Sequence, residues 1–424
     1  MTEQTGCYAH LLGFLDQLEI IDSHEHLPSE AQRLATKPDF SLLFSHYCRG
    51  DLFAAGMSLA DLERLYGDAP VDEKWACFAP YYRLIEDGSY CRAAHLAMDR
   101  FYGYRRLASL DDAIAVTEAL RAANQPGLYR RVLKDACRIR VSMNYGSVTD
   151  DREYFAPVLF CTDYAEATKA TIQGLEDRLN TTCGSLSAYL DAVGEDIRRA
   201  AAQGIHGLKL HFAYMRDLDF AARTRDEAER VFVRCLEEGY GWRDVSVGYE
   251  ERRPLQDYMV HRLAEFAAEL DIPVVIHSAL QANYHHRADD ARPLRLWNLP
   301  HRFRRTDFVI LHSGLPWMDE AALLAKHYPN VYLDMGWDHL MSPELSRRAL
   351  AAWVDLVPMN KVIGFGGDYA VVEKVYGHLV LARQDLAVTL AAKVDAGDMS
   401  LDRAETWLRA LLWDNPRTVF RLDV

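Results

Sequence analysis

The sequence predicts a (β/α)8 barrel. Three observations lead there. An apolar run opens at Ile20-Ile21, seven more short apolar runs follow residue 130 with amphipathic helices between most of them, and five of the eight runs end in a residue suited to metal or proton chemistry. Alternating strand and helix implies a parallel sheet, and eight such units imply closure rather than an open sheet.

The chain has 424 residues, half of them hydrophobic, enough for one large core. Its net charge of −14 argues against a nucleic-acid or anionic-membrane partner, either of which needs a basic face. The eight cysteines form no C-x-x-C pair and read as reduced thiols. The first twenty residues lack a basic segment followed by an apolar one, so no signal peptide is expected, and no run approaches membrane-spanning length. A cytoplasmic enzyme acting on a small molecule is the expectation, and a homo-oligomer is compatible with it.

Residues 8–17 read as a helix leading into the first strand. Residues 28 to about 130 lose the barrel rhythm and read as a largely helical insertion, with helices at Leu59–Tyr66 and Asp111–Ala123. Its aromatic and basic side chains, including His46, Tyr47, Arg49, Tyr81, Tyr82, Arg83, Tyr102, Tyr104 and Arg105, either cap a pocket or hold the insertion together. The later strands are Cys137–Met143, Pro157–Cys161, Gly207–Phe212, Pro273–His277, Phe308–His312, Val331–Met335 and Val362–Phe365. Helices follow at Ser187–Gln203, stopped by Gly204, and at Leu255–Leu270, stopped before Pro273. Asp319–His327, Pro343–Val357 and Val371–Ala396 complete the alternation. Residues 401–421 read as a closing helix pair divided at Asn415-Pro416.

The opening strand ends in Asp22-Ser23-His24-Glu25-His26. Residues two apart in a strand share a face, so His24 and His26 present two imidazoles to one side, with Asp22 in the same row. Such a pair can hold one divalent cation, or can simply meet solvent. Barrel enzymes carry their chemistry at the C-terminal strand ends. Those ends supply Lys209 from the fourth strand, His277 from the fifth, His312 from the sixth and Asp368 from the eighth. Taken singly, each has an ordinary reading, and Asp368 could cap the helix that follows it. Together and in this order they point to one site. His211 shares a face with Lys209 behind that site.

These motifs resemble the amidohydrolase superfamily, and within it the branch of TIM-barrel metal-dependent hydrolases called amidohydrolase family 2. The matching stretches are Asp22-Ser23-His24-Glu25-His26, Gly207-Leu208-Lys209-Leu210-His211, Val275-Ile276-His277, Leu311-His312-Ser313-Gly314, Gly366-Gly367-Asp368 and Asn415-Pro416-Arg417. The resemblance implies that His24, His26, His277 and Asp368 ligate a divalent metal, most often zinc, with manganese as the alternative. It also implies that Asp368 is general base and proton shuttle. In two-metal relatives a carboxylated lysine at the position of Lys209 bridges the ions and the His312 position binds the second. In one-metal relatives that histidine polarises the substrate, and Lys209 would hold a carboxylate. The presence of both residue types favours two ions.

The expected reaction is hydrolysis of an amide, lactone or related ester by metal-activated water. Arg49, Tyr214, Trp337 and Tyr369, with Asn144, Tyr145, Arg216, Asp338 and His339, occupy loops where they could meet a carboxylate-bearing substrate. Decarboxylases and hydratases of the same branch are alternatives. So is a uronate isomerase, since Gly50-Asp51-Leu52 and Phe101-Tyr102-Gly103 resemble its insertion while the eighth-strand motif differs. A non-catalytic binding module would have a broken ligand set, and here no ligand is missing.

Overall fold

The computed structural model describes residues 6–146, 151–238 and 249–424. Eight parallel strands are hydrogen-bonded in chain order: β1 (Ile20–Glu25), β2 (Ile139–Gly146), β3 (Phe155–Phe160), β4 (Leu208–Leu210), β5 (Val274–His277), β6 (Phe308–Leu311), β7 (Val331–Asp334) and β8 (Val362–Ile363). β8 returns to β1, where the Ser23 amide donates to Phe365 O at 3.1 Å and the Asp368 amide to His24 O at 2.6 Å. The sheet is thus a (β/α)8 TIM barrel.

Alternation along the strands sorts two layers. Ile21, Val141, Met143, Val158, Val275, Val309, Leu311 and Ile363 fill the barrel interior, and Val419 and Phe420 from the chain end join them. The intervening residues, such as Ile20, Leu208, Leu210, Val274, Ile276, Phe308 and Ile310, pack outward against the helices. Burying residues of this size contributes roughly 1.5–3 kcal/mol each before conformational entropy is counted.

Between β1 and β2 the chain is helical, from Glu30–Leu34 through Leu59–Tyr66, Val71–Ile85, Ser89–Tyr102 and Leu110–Ala123. These helices enclose a second core around Phe40, Phe44, Leu52, Phe78, Tyr82 and Met98. The insertion docks through Ser89–Tyr102 onto the long helix Val372–Asp395. Gly377 permits this approach, because a Cβ there would overlap the Ala93 backbone.

Two expectations change. The closing helix does not divide at Asn415-Pro416. It runs from Leu401–Arg409 through a wide π turn at Ala410–Asp414 into Asn415–Val419. A π turn before Pro416 accommodates the N–H that proline lacks, and the Asn415 side-chain Nδ2 donates to Met359 O and Val362 O at 2.8 and 2.6 Å. Asp368 caps nothing, since the helix N-cap is Val371 without a side-chain bond. No helix among the described residues is long and apolar enough to cross a membrane.

The insertion's core carries a testable titration. His95 Nε2 lies 2.6 Å from the Tyr82 hydroxyl, and burial, with Arg106 nearby, lowers its pKa to about 4. The unfolded chain binds this proton near pH 6.5 and the folded chain only near 4. Stability is therefore lost as pH falls through that window, by up to about 1.4 kcal/mol per pH unit for the one proton. His95→Gln is expected to flatten the pH dependence of chemical denaturation between pH 6.5 and 4 by that amount. Equal slopes in both proteins would contradict it.

Candidate active site

The mouth of the barrel is built on the join between β8 and β1. Gly366 allows that join: a Cβ there would lie 2.7 Å from Ser23 Oγ and 2.8 Å from His24 Cβ. Gly367 is held by its amide on Asp22 Oδ1 at 3.0 Å. Asp368 follows in the left-handed region (φ 55°), which turns its carboxylate back over β1.

There it meets both first-strand histidines. Asp368 Oδ1 lies 3.3 Å from His24 Nε2 and 3.2 Å from His26 Nε2, and the two Nε2 atoms are 3.2 Å apart. His312 Nε2 is 3.7 Å from Asp368 Oδ2. His24, His312 and Asp368 form a group of donor atoms all within 4.8 Å of one another. His277 packs beside His312 (ring centroids 4.6 Å), but its Nε2 is directed at Leu280 O at 3.2 Å. In that arrangement only its Nδ1 remains for a ligand. Lys209 is buried beneath, with Nζ 5.1 Å from the Tyr145 ring centre.

Neighbours fix the tautomers. His26 Nδ1 lies 3.2 Å from Tyr145 O and His312 Nδ1 2.6 Å from Gly336 O. A carbonyl only accepts, so each Nδ1 carries a proton, and in the neutral ring each Nε2 is the atom free to ligate. His312 Nε2 is buried without a hydrogen-bond partner. Burial holds His24 and His277 well below the ordinary histidine pKa and lowers His312 to about 4. Burial raises Asp368, but the facing His24, His26 and His312, sharing a proton with it, hold the carboxyl well below its usual range. Burial lowers Lys209 to about 7 against the pull of Asp368 and Asp334. A carboxylate oxygen and imidazole nitrogens thus converge on one point, a set that fits a divalent cation.

The other expected contacts divide. Trp337 is buried at the mouth, stacked on Tyr47 at 4.4 Å with its Nε1 unpartnered, and its ring meets His312 edge-on at 5.4 Å. Tyr214 packs on His277 at 4.7 Å, and its hydroxyl accepts from the Ala282 amide at 3.1 Å. Tyr369 is fully buried, its amide on Glu25 Oε2 at 2.8 Å and its ring under Lys374 Nζ at 4.4 Å. Arg49 stacks over Tyr66 at 5.9 Å and lines a cavity beside the mouth. Asn144, Arg216 and His339 are engaged structurally, with Leu27, Asp257 and Asp385 respectively. Asp338 accepts from Ser313 Oγ. His211 leaves the strand and bonds Thr162 Oγ1 at 2.9 Å.

Two residues at the mouth were not among the expected site residues. Asp334 ends β7 inside the barrel, where burial raises it to about 7. An apolar run ending in an acid, Val331-Tyr332-Leu333-Asp334, was the available signal. Tyr47 comes from the insertion, and burial and then the Asp368 charge hold its phenol well above the usual value. Nothing local in the sequence separates it from the insertion's other tyrosines.

With this geometry in view, the comparisons with known proteins are informative. A family model described as "Amidohydrolase" matches residues 161–422. The chain belongs to the amidohydrolase family. Among curated proteins this amidohydrolase is 24% identical over 229 residues to Protein fluG of Emericella nidulans, a match covering 53% of this chain and 26% of that protein. The chain therefore spans about a quarter of that relative's length. Its fold is shared with glucuronate isomerase from Caulobacter crescentus (TM-score 0.78, 20% identity, 99% of this chain and 94% of that one). It is shared as well with uronate isomerase from Thermotoga maritima (0.77, 15%, 98% and 97%). A third neighbour, from Lactobacillus casei ATCC 334, is described as a metal-dependent hydrolase (0.69, 19%, 97% of each chain).

Gly366→Ala tests the join on which the site rests. The added methyl would press on His24 and the β1 backbone, and overpacking of this kind costs about 1–3 kcal/mol. Chemical denaturation is expected to show that loss, and an unchanged midpoint would contradict the packing described.

Proposed function

We propose that this amidohydrolase hydrolyses an amide, lactone or related ester of a small carboxylate-bearing compound in a metal-dependent reaction. The observation that carries the reading is the convergence of His24 Nε2 and His26 Nε2 on Asp368 Oδ1 at 3.3 and 3.2 Å. Three donor atoms packed this closely need a cation or shared protons among them, and a divalent cation satisfies all three at once. Zinc suits such a nitrogen and oxygen set, and manganese is the alternative. His24, His26 and Asp368 would hold the cation, which when bound would supply Lewis-acid polarisation and a more acidic water.

The chain's own groups supply the proton transfers. Asp368 is ionised and His312 neutral, with Nε2 facing Asp368 Oδ2 at 3.7 Å. This pair can accept the proton of the attacking water and return it to the leaving nitrogen or oxygen. Trp337 and Tyr47 wall the pair with aromatic surface, which keeps bulk water away. Lys209, with a pKa of about 7, has a large unprotonated fraction at neutral pH. Its nitrogen can add to the carbon of carbon dioxide and release one proton, and the resulting carbamate would join His277 and His312 in holding a second cation. Left as an ammonium, Lys209 would face the substrate carboxylate.

One specific observation favours a second reading, sugar-acid isomerisation. The two isomerases named above match 98–99% of this chain, helical insertion included. In that reaction Asp368 and His312 would move a proton between neighbouring carbons, with no bond to water formed.

Turnover of a panel of amides, lactones and uronates by zinc-loaded protein in ¹⁸O-water separates the two. Hydrolysis is expected to place one label in the product carboxylate, and Asp368→Asn is expected to slow it by roughly 10²–10⁴-fold. Isomerised uronate with no cleavage of any amide or lactone would overturn the hydrolase reading. Lys209→Met is expected to lower metal content by about one equivalent if two ions are held, as read by elemental mass spectrometry.

A further inference from the structure

Between the helical insertion and the barrel mouth lies a cavity of about 1260 Å³. Its inner end lies beside the barrel mouth, bordered by residues that neighbour the site in sequence or by stacking. Ala370, two residues beyond Asp368, lines it. So does His46, which stacks on Tyr47 at 4.0 Å and has a buried, unpartnered Nδ1. Its far wall is the first part of the insertion. Phe53 stacks on Tyr284 at 4.2 Å, joining the insertion to the loop after β5, from which Asn283 also lines the cavity.

The charge of this cavity is opposite to that of the chain. Two of its five basic residues are neutralised locally, Arg33 by Glu373 and Lys74 by Asp39. That leaves Lys37, Arg49 and Arg121 against Asp68, and none of the three cations has a carboxylate partner among the described residues. Arg121 donates to Pro38 O at 3.0 Å. Arg49 has only the face of Tyr66 beneath it, a contact that uses the plane of the guanidinium and leaves its edge donors. In a protein of net charge −14, unpaired cations around one concavity concentrate anions there. The volume also exceeds the roughly 300–1000 Å³ usual for a small-ligand pocket.

We propose that this cavity is the distal half of the substrate site and takes the carboxylate end of an extended substrate, with Arg49 as its specificity-determining anchor. The inference rests on the hydrolase reading for the bond that is broken, but not for the binding itself. The substrate is then an amide or ester conjugate reaching several bonds from the scissile carbonyl to a terminal carboxylate. A compact acid would leave much of the cavity filled with water.

The test is equilibrium binding by calorimetry on the zinc-loaded full chain, with glutarate and its uncharged diamide as probes. Glutarate is expected to bind at least about tenfold more tightly than the diamide. Arg49→Met is expected to remove that preference while metal content stays unchanged, since a charge-assisted bidentate pair accounts for about this factor. Arg49→Lys should recover part of it. Equal binding of the two probes by the wild type, or full retention of glutarate binding in Arg49→Met, overturns the proposal. Should Arg49→Met fail to fold, the exposed Arg121→Gln is read instead, with a loss of about threefold expected. An unchanged affinity there overturns the proposal too. Because the readout needs no turnover, failure of the hydrolase reading and failure of the cavity assignment are separately visible.

Discussion

One carboxylate organises the mouth of this barrel. Asp368 is buried, and burial alone would protonate it. A proton or cation shared with His24, His26 and His312 keeps it ionised, and these rings reach it because the eighth strand folds onto the first. Several local irregularities nearby serve that contact. Gly366 lets the strands approach, Asp22 receives the Gly367 amide, and the left-handed backbone at Asp368 and His312 turns both side chains toward each other.

The other acids of the mouth behave differently. Burial raises Asp22 to about 6 and Asp334 to about 7, and it lifts Glu25 and Asp338 well above the carboxylate range. Glu25 is raised further by the charge of Asp22 beside it. These groups are all held by hydrogen bonds, Asp22 accepting from the Ser142 hydroxyl, Glu25 from the Tyr369 amide and Asp338 from the Ser313 hydroxyl. A carboxylate held well below its usual range among imidazoles is a different device from a cluster of raised carboxyls. Such an arrangement suits one cation in a fixed place, while burial leaves Lys209 only partly protonated against the pull of Asp368.

The barrel was legible in the sequence because each strand is a short apolar run with a clear stop. The site was legible in its members but not in its geometry. Counting alternately from Ile21, which packs inside the barrel, puts His24 and His26 on the outer side. The register slips between Asp22 and Glu25, and that irregularity brings both imidazoles inward. His312 likewise follows the inward Leu311 and would face outward but for its backbone at φ 62°. Bulges and left-handed turns leave no period-two trace. Tyr47 and the basic cavity depend on how the insertion docks, through Gly377 and a hundred intervening residues, which no local pattern encodes.

The most direct test of the central claim is the X-ray absorption spectrum of zinc bound to the wild type and to Asp368→Asn. The account predicts zinc bound with nitrogen and oxygen neighbours at about 2.0–2.2 Å, imidazole scattering in the outer shells, and loss of that signal on substitution. A metal that fails to bind, or a wild-type spectrum that persists unchanged in Asp368→Asn, would contradict it.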